Sequence, residues 1–160
     1  MKLTTVVVGV LISIVVCGII VMLNPPHDTV FTIYEEEIHF LNQRRSFYPN
    51  KLLGKLLENK VSVYFSHYLT NISYGLDPNF YFFASHPRER AGFSEHQRLP
   101  LWLFPLSLAG LFMQLTNGKY ILVIYFLASL LIISFFAPFD NYAFVLYPFF
   151  ILAPFTWLIG

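Results

Sequence analysis

The chain has 160 residues, of which 56% are hydrophobic and only 12% are charged. This composition excludes an intrinsically disordered chain, because disorder requires low hydrophobicity and a high net charge. The net charge of +1 lacks the basic excess of a nucleic-acid-binding protein, so no nucleic-acid partner is expected. The single cysteine, Cys17, excludes a disulfide scaffold.

Charged residues are concentrated in the middle of the chain. Lys2 is the one charged residue before position 24, and Lys119 and Asp140 are the two that follow Arg98. The other sixteen, with all five histidines, lie in residues 24–98. A soluble domain carries charges on every surface element. Here the segments before residue 24 and after residue 98 are almost free of charge, which is typical of membrane spans. The sequence therefore predicts an integral membrane protein.

The first apolar segment, residues 3–23, contains about 20 uncharged residues, enough to cross a hydrocarbon core of about 30 Å. A cleaved signal peptide has a shorter apolar core and a small-residue cleavage site. Here the apolar run continues through Cys17 to Leu23 and ends at Asn24-Pro25-Pro26. The segment is therefore predicted to be an uncleaved transmembrane helix.

Three further spans are predicted at 99–116, 120–136 and 142–159, joined by turn-forming residues at 117–119 and 137–141. Pro105, Pro148 and Pro154 are expected to kink the helices that contain them. The predicted fold class is an all-α integral membrane protein with about four transmembrane helices. Its regions are a first helix (1–23), an external loop with helices (24–98) and a three-helix transmembrane region (99–160). The apolar ending is expected for either a complete short protein or a larger one cut short.

The orientation follows from Lys and Arg near the ends of short loops. With four spans, Lys2 and Lys119 lie on one side and Asp140 on the other. This predicts both termini in the cytoplasm and the 24–98 loop outside, in the plasma (inner) membrane. The arginines of the loop oppose this orientation, but long loops are translocated largely regardless of charge.

The external loop contains two predicted helical stretches. A short helix opens at Glu35, and an amphipathic helix near 50–73 begins after Asn50, a favourable N-cap residue. Apolar residues follow at gaps of three or four, which is helical spacing: Leu53, Leu57, Val61, Phe65, Tyr68 and Ile72. We interpret this helix as packed at the membrane surface or against the other helices; a partner-binding helix is the alternative.

The densest polar cluster follows the aromatic run 80–83, which suits the headgroup zone of a membrane. It contains His86, Arg88, Arg90 and Arg98. A guanidinium group can bind a phosphate through two parallel hydrogen bonds. These residues are the predicted site for a phosphate or lipid headgroup, with membrane lipids or a polyprenyl-phosphate as the ligand. The alternative is a solvated connecting loop whose arginines pair with its own glutamates.

Signals for metal binding and catalysis are weak. The histidines and acids match no zinc-binding spacing, so no metal site is predicted. The acids 35–37 beside His39 are expected to form a solvated helix face rather than a cation site. Asn71-Ile72-Ser73 fits the N-glycosylation sequon, which has meaning only in a secretory pathway. The sequence identifies no catalytic residue.

From residue 33 onward, the order of features resembles the later part of membrane glycosyltransferases of the C superfamily. The resemblance is to the dolichyl-phosphate-mannose-protein mannosyltransferase-like type of small-genome bacteria, and it covers roughly 125 of the 160 residues. It rests on IYEEEI (33–38), NK (59–60), YLTNISY (68–74), DPNFYFF (77–83), the loop with Arg88, Arg90 and Gly92, and LAGL (108–111).

The resemblance implies transfer of a sugar from a polyprenyl-phosphate donor at the outer membrane face, with a divalent cation as a possible cofactor. The catalytic acids of such enzymes lie in a first external loop that has no counterpart here. We therefore expect a truncated or split glycosyltransferase-like protein that is inactive alone. The alternative is a small non-enzymatic subunit that scaffolds other membrane subunits. A transporter is disfavoured, because no predicted span carries an ionisable side chain.

Overall fold

The computed structural model describes residues 3–83 and 98–155, and these residues are mostly helical. The helices are α1 (Leu3–Leu23), α2 (Glu35–Ser46), α3 (Lys51–Leu57), α4 (Lys60–Leu76), α5 (Pro78–Phe82), α6 (Leu103–Asn117), α7 (Ile121–Ile133) and α8 (Tyr147–Leu152). Two short strands, β1 (Asp28–Thr29) and β2 (Phe136–Ala137), pair antiparallel. Short 3-10 helices cover Phe139–Asn141, Ala143–Leu146 and Ala153–Phe155. The all-α class is confirmed, with this strand pair added.

Helices α1 and α7 form the most extensive helix pair of the described residues. They run parallel, since a Cβ on Gly9 would lie 3.4 Å from the Ile121 carbonyl oxygen, and Ser13, one turn further along α1, contacts the carbonyl of Tyr125, one turn further along α7. The Ser13 hydroxyl donates to the Tyr125 carbonyl at 3.1 Å and also lies 2.9 Å from the Gly9 carbonyl of its own helix. Both helices therefore begin at one end of the pair and finish at the other.

Small residues at intervals of four allow this close approach. Gly9, Ser13 and Cys17 are all buried on the face of α1 that meets α7. A Cβ on Gly9 would lie 2.9 Å from Ile124 Cγ2, which is closer than normal packing allows. Small residues spaced in this way are typical of helix interfaces inside membranes.

The end at which α1 and α7 finish carries the strand pair and helix α4. Strand β1 follows α1 and pairs with β2, which follows α7, with Asp28 opposite Ala137. Helix α4 packs on the last turn of α7, where the Asn71 amide donates to the carbonyls of Ser134 (2.9 Å) and Phe136 (3.4 Å). The asparagine of the sequon is thus engaged in holding two helices together.

Helix α6 joins α7 through a tight turn. Gly118 adopts a left-handed conformation (φ 71°) and ends α6, which satisfies carbonyls of the last turn and favours glycine. This confirms the predicted turn at 117–119. On its other face α6 packs against the 153–155 segment, where Gly110 lies directly against the Ala153 backbone.

One described helix, α1, is long and apolar enough to cross a membrane unaided. Its 21 residues extend about 31 Å. Helices α6 and α7 are bent by 114° relative to each other and pass the same test only as a pair. With 15 and 13 residues they extend about 22 and 20 Å, less than a hydrocarbon core of about 30 Å.

The predicted spans at 99–116, 120–136 and 142–159 differ from the observed helices. The first two are shortened, and the described part of the third is divided into the 3-10 helix Ala143–Leu146, α8 and the 3-10 helix Ala153–Phe155. Pro148 lies in the first turn of α8. Proline lacks the N–H that a continuous helix needs, so it is tolerated at a helix start but not within one. Four membrane-spanning helices are therefore not evident from length alone.

Residues 35–76 form three helices, and the 50–73 region is not one continuous helix. Helix α2 begins at Glu35 as predicted, and the Asn50 side chain caps α3 by accepting from the Leu52 N–H at 2.9 Å. The predicted helix near 50–73 is broken at residues 58–59. Asn59 and Ser62 exchange side-chain to backbone hydrogen bonds, a capping box that starts a new helix, α4.

The aromatic run 80–83 lies in the core rather than on a surface. Tyr81 and Phe82 are 1% and 2% exposed. Their rings contact Phe150, and Phe82 also contacts Phe104 of α6, with ring centroids 4.5 to 5.3 Å apart. Such edge and tilted contacts add to the energy of apolar burial. The run therefore packs α5 against α6 and α8.

We expect Gly110→Ala to destabilise the fold, because a Cβ there would lie 2.1 Å from the Ala153 carbonyl oxygen. Overpacking of this kind costs about 1–3 kcal/mol. Gly18→Ala is the matched control, since a Cβ at Gly18 meets nothing within 4 Å. Thermal unfolding in detergent should show a lower Tm for Gly110→Ala and an unchanged or higher Tm for Gly18→Ala. Equal Tm values for the two variants would contradict this packing.

Candidate functional site

Of the four residues predicted to bind phosphate, the structure places Arg98. His86, Arg88 and Arg90 lie in residues 84–97, outside the described part of the chain. Their proximity to Arg98 therefore stays a prediction.

Arg98 is held between an aromatic ring and a carboxylate. Its guanidinium carbon lies 3.7 Å from the centre of the Phe80 ring, and its Nη2 lies 3.1 Å from Asp140 Oδ2. The side chain is 25% exposed, so most of the cation is removed from water. A cation over an aromatic face is stabilised more strongly when desolvated.

Part of this guanidinium remains unpaired. Arg98 Nη1 is buried and has no hydrogen-bond partner among the described residues. Asp140, the one described carboxylate that pairs with it, is 60% exposed, so this ion pair is weakened by water. A buried charged donor without a partner carries a desolvation cost, and an anion at that position would remove it.

The backbone around Arg98 is fixed by α5. The next residue, Leu99, donates its N–H to the Tyr81 carbonyl at 3.0 Å. The Tyr81 hydroxyl in turn donates to the Gly75 carbonyl at 2.9 Å. Burial raises the pKa of Tyr81, which therefore stays a neutral donor. Arg98 is thus positioned by a rigid aromatic support.

The position of Arg98 relative to the end of α1 follows from a contact of the turn that contains Asp140 and Tyr142. The Tyr142 hydroxyl donates at 3.0 Å to the carbonyl of Asn24, the first residue after α1. Asp140 precedes Tyr142 by two residues and pairs with Arg98. Arg98 therefore lies near the level at which α1 ends.

A second polar site joins α2 to α4. His67 Nε2 lies 2.6 Å from Glu37 Oε1, and its Nδ1 lies 3.3 Å from the Val30 carbonyl. Both ring nitrogens face oxygen acceptors. Only a protonated imidazole can donate from both nitrogens at once. Glu37 Oε2 also accepts from the Tyr34 N–H at 3.0 Å, which caps the start of α2. Glu37 and His67 together thus join α2, α4 and Val30, the residue after β1.

A neighbouring hydrogen bond ties β1 to the same helix start. The Tyr34 hydroxyl donates to Asp28 Oδ2 at 3.0 Å. This hydrogen bond raises the pKa of Tyr34, because the ionised phenol would lose the donated proton. The β1–α2 connection is therefore held at both Asp28 and Glu37.

The Glu37–His67 pair lies in a cleft of about 560 Å³ between α2, α4 and the α3–α4 junction. Besides this pair, the cleft is lined by four apolar and four polar side chains: Phe40, Leu41, Leu57 and Val63, with Arg44, Glu58, Ser62 and Ser66. The Ser62 hydroxyl is bound to the Asn59 backbone, and Glu37 to Tyr34 and His67. Glu37, Ser62 and His67, three of the six polar side chains of the cleft, are therefore already hydrogen-bonded within the fold.

No group of three or more His, Cys, Asp or Glu side chains within residues 3–83 and 98–155 is arranged to hold a metal ion. Glu37 belongs to the acidic run 35–37, which lies beside His39 in the sequence. It pairs with His67 and not with His39. The comparisons with protein families, curated proteins and solved structures found no match to this chain.

Sequence reasoning missed the partners of both charged sites. Asp140 was read as an orientation signal, although its isolation in an apolar region already indicated a cationic partner. His67 was passed over, although it is the one ionisable side chain between Lys60 and Asp77 apart from tyrosines. Neither signal says which residue is the partner, because both contacts join segments distant in the sequence.

We expect Glu37→Gln to destabilise the α2–α4 contact. The amide keeps the shape of the carboxylate but loses the charge-assisted bond to His67, which at one-third exposure contributes about 1 kcal/mol. Thermal unfolding should show a decrease in Tm of about 2–4 °C. Glu36→Gln, the same change at the exposed adjacent residue, should leave the Tm unchanged. A similar decrease in both variants would mean that general charge, and not the His67 contact, is responsible.

Proposed function

We propose that this chain is an integral membrane protein of the plasma (inner) membrane that binds the phosphate of a polyprenyl-phosphate-linked sugar at the membrane surface. We further propose that it acts as part of a glycosyltransferase-like assembly. The observation that carries the proposal is the placement of Arg98. It is a mostly buried cation with an unpaired nitrogen, and it lies near the level at which the apolar helix α1 ends.

Membrane insertion is supported by the surface of the apolar helices. Away from α7, helix α1 exposes Leu11 (54%), Val15 (57%) and Met22 (86%). Helix α6 exposes Phe112 (68%) in the same way. Contiguous apolar surfaces of this kind are rare on soluble monomers and suit a lipid environment.

The distribution of charge supports the proposed orientation. Lys119 precedes α7 and so lies at the end where α1 begins, whereas Arg98, Asp140 and α2–α4 belong to the opposite end. In the proposed four-span arrangement the Lys119 end, with both termini, faces the cytoplasm, in line with the preference for Lys and Arg there. The bent α6–α7 pair and the 143–155 region would complete the spans beside α1.

The ligand follows from depth and charge. The phosphate of a polyprenyl lipid lies at the boundary of the hydrocarbon core, which is where α1 would end. A guanidinium binds phosphate with two parallel N–H donors and stays charged at any physiological pH. In the proposed site Arg98 binds the phosphate with His86, Arg88 and Arg90, and the apolar helices contact the polyprenyl chain.

The catalytic acids are proposed to come from a separate polypeptide, so that the isolated chain does not transfer sugar. Phosphate as a leaving group needs cationic stabilisation, which arginine or a divalent cation supplies. The chain would contribute the lipid-phosphate site, and its partner the general base.

One observation favours a second function, that of a non-enzymatic scaffold subunit. The Arg98–Asp140 ion pair already joins the segment before α6 to the turn after β2. If this pair has only a structural role, Arg98 needs no ligand. The two functions predict different effects of the same substitution.

We expect Arg98→Gln to abolish retention of polyprenyl-phosphate lipid. The measurement is native mass spectrometry of the protein extracted from its own membrane in mild detergent. Lys119→Gln is the matched control, with the same charge change at the other end of α7, and should retain the lipid. Absence of the lipid from the unsubstituted protein, with copurification of unrelated subunits, would contradict phosphate binding and favour the scaffold.

The Asp140→Asn variant distinguishes binding from structure. This substitution removes the ion pair but leaves Arg98 charged, so the proposal predicts that lipid is retained, with a modest loss of stability. Loss of lipid in Asp140→Asn together with a large decrease in Tm would assign Arg98 a structural role.

A further inference from the structure

We propose that α3 and the first turns of α4 dock onto an anionic membrane surface. The inference rests on the proposed membrane anchoring of the chain but not on phosphate binding by Arg98. Leu52 and Leu56 of α3 are 71% and 70% exposed, and Val61 and Phe65 of α4 are 69% and 59% exposed. Each of these apolar side chains is left uncovered by the described elements.

The faces of α3 are separated in the way that a membrane-surface helix requires. Gly54 is buried, and a Cβ there would lie 3.0 Å from the Arg45 carbonyl oxygen, so this side of α3 is packed on the end of α2. At 100° per residue Leu52, Leu53 and Leu56 occupy an arc away from Gly54, and all three are at least half exposed. The apolar arc therefore faces outward.

Lysines flank this arc. Lys51 and Lys55 lie between the leucines and the packed side of α3, and Lys60 begins α4; all three are exposed. Glu58, the acid of this stretch, is half-buried and faces the cleft at Tyr48. Lysine stems can extend along an apolar surface while their charges reach lipid phosphates.

The composition favours a bilayer over a protein partner. Protein interfaces are depleted in lysine and enriched in arginine and aromatic residues. The α3 surface has leucine and lysine instead, the pairing typical of helices that lie in the headgroup region. Its charge complements anionic lipid, and the chain is already held at the membrane by the proposed α1 anchor.

The test uses the full chain in vesicles of zwitterionic lipid with or without anionic lipid. In a Cys17→Ser background, an environment-sensitive fluorophore is attached at Leu56→Cys or, as a control, at His39→Cys on an exposed position of α2. Quenching by lipids with a labelled acyl chain reports bilayer contact, and quenching by iodide reports water. Flotation of the vesicles separately reports whether the protein is anchored.

We expect lipid quenching at position 56 to be several-fold stronger than at position 39, and stronger when anionic lipid is present. Lys51→Glu and Lys55→Glu should each lower the ratio of docked to undocked protein about five-fold or more, because each lysine near an anionic surface contributes that much.

Three results would overturn the inference. Equal iodide quenching at positions 56 and 39 in protein that floats would mean that α3 is undocked although the chain is anchored. Shielding of position 56 from both quenchers would assign the surface to a second copy or another protein. Failure to float would reject the membrane anchoring and, with it, the docking.

Discussion

The close parallel contact between α1 and α7 determines where the other described elements lie. Gly9 and Ser13 present almost no side-chain volume to α7, and Ser13 forms a hydrogen bond across the interface. Because the helices run parallel, the segments that follow α1 and α7 begin at the same end of the pair. The strand pair β1–β2, the docking of α4 through Asn71 and the Arg98–Asp140 pair all belong to that end. A single hydrogen bond contributes little net stability, so the close packing made possible by small residues is the principal contribution.

Two charged sites at this end follow different physical rules. Glu37 and His67 are both about 30% exposed and accept or donate at nearly every polar atom, so the pair is satisfied within the fold. Arg98 is similarly exposed but keeps an unpaired nitrogen beneath the surface. A satisfied pair stabilises the helices that it joins, whereas an unsatisfied cation carries a desolvation cost that favours a further anion. This difference is why the proposed ligand is assigned to Arg98.

The sequence predicted the local structure where a local signal exists. The start of α2 at Glu35, the Asn50 cap and the Gly118 turn each depend on residues within one helical turn, and each is confirmed. The break at Asn59 also had a local signal, the capping box with Ser62, but the apolar periodicity that continues across it obscured the signal. Periodicity records which face is apolar and not whether the backbone is continuous.

The tertiary contacts were beyond the sequence for a different reason. Ser13 and Tyr125, or Glu37 and His67, are far apart in the chain, and no local pattern selects one partner over another. The same limit applies to the candidate site: the charge of Arg98 was evident, but its burial against Phe80 was not. The 80–83 run was assigned to a headgroup zone because composition alone cannot distinguish an aromatic membrane belt from an aromatic core.

The Arg98–Asp140 pair is compatible with a ligand-binding role because of the exposure of its carboxylate. Asp140 is 60% exposed and contacts a single nitrogen, so water competes with the pair and its net stabilisation is small. A phosphate carries more charge and offers several oxygens, so it can bind two guanidinium nitrogens at once. In the proposed function Asp140 therefore orients the side chain before the ligand arrives, and Phe80 keeps the guanidinium in place when the phosphate binds. A purely structural ion pair would gain nothing from leaving Nη1 buried and unpaired.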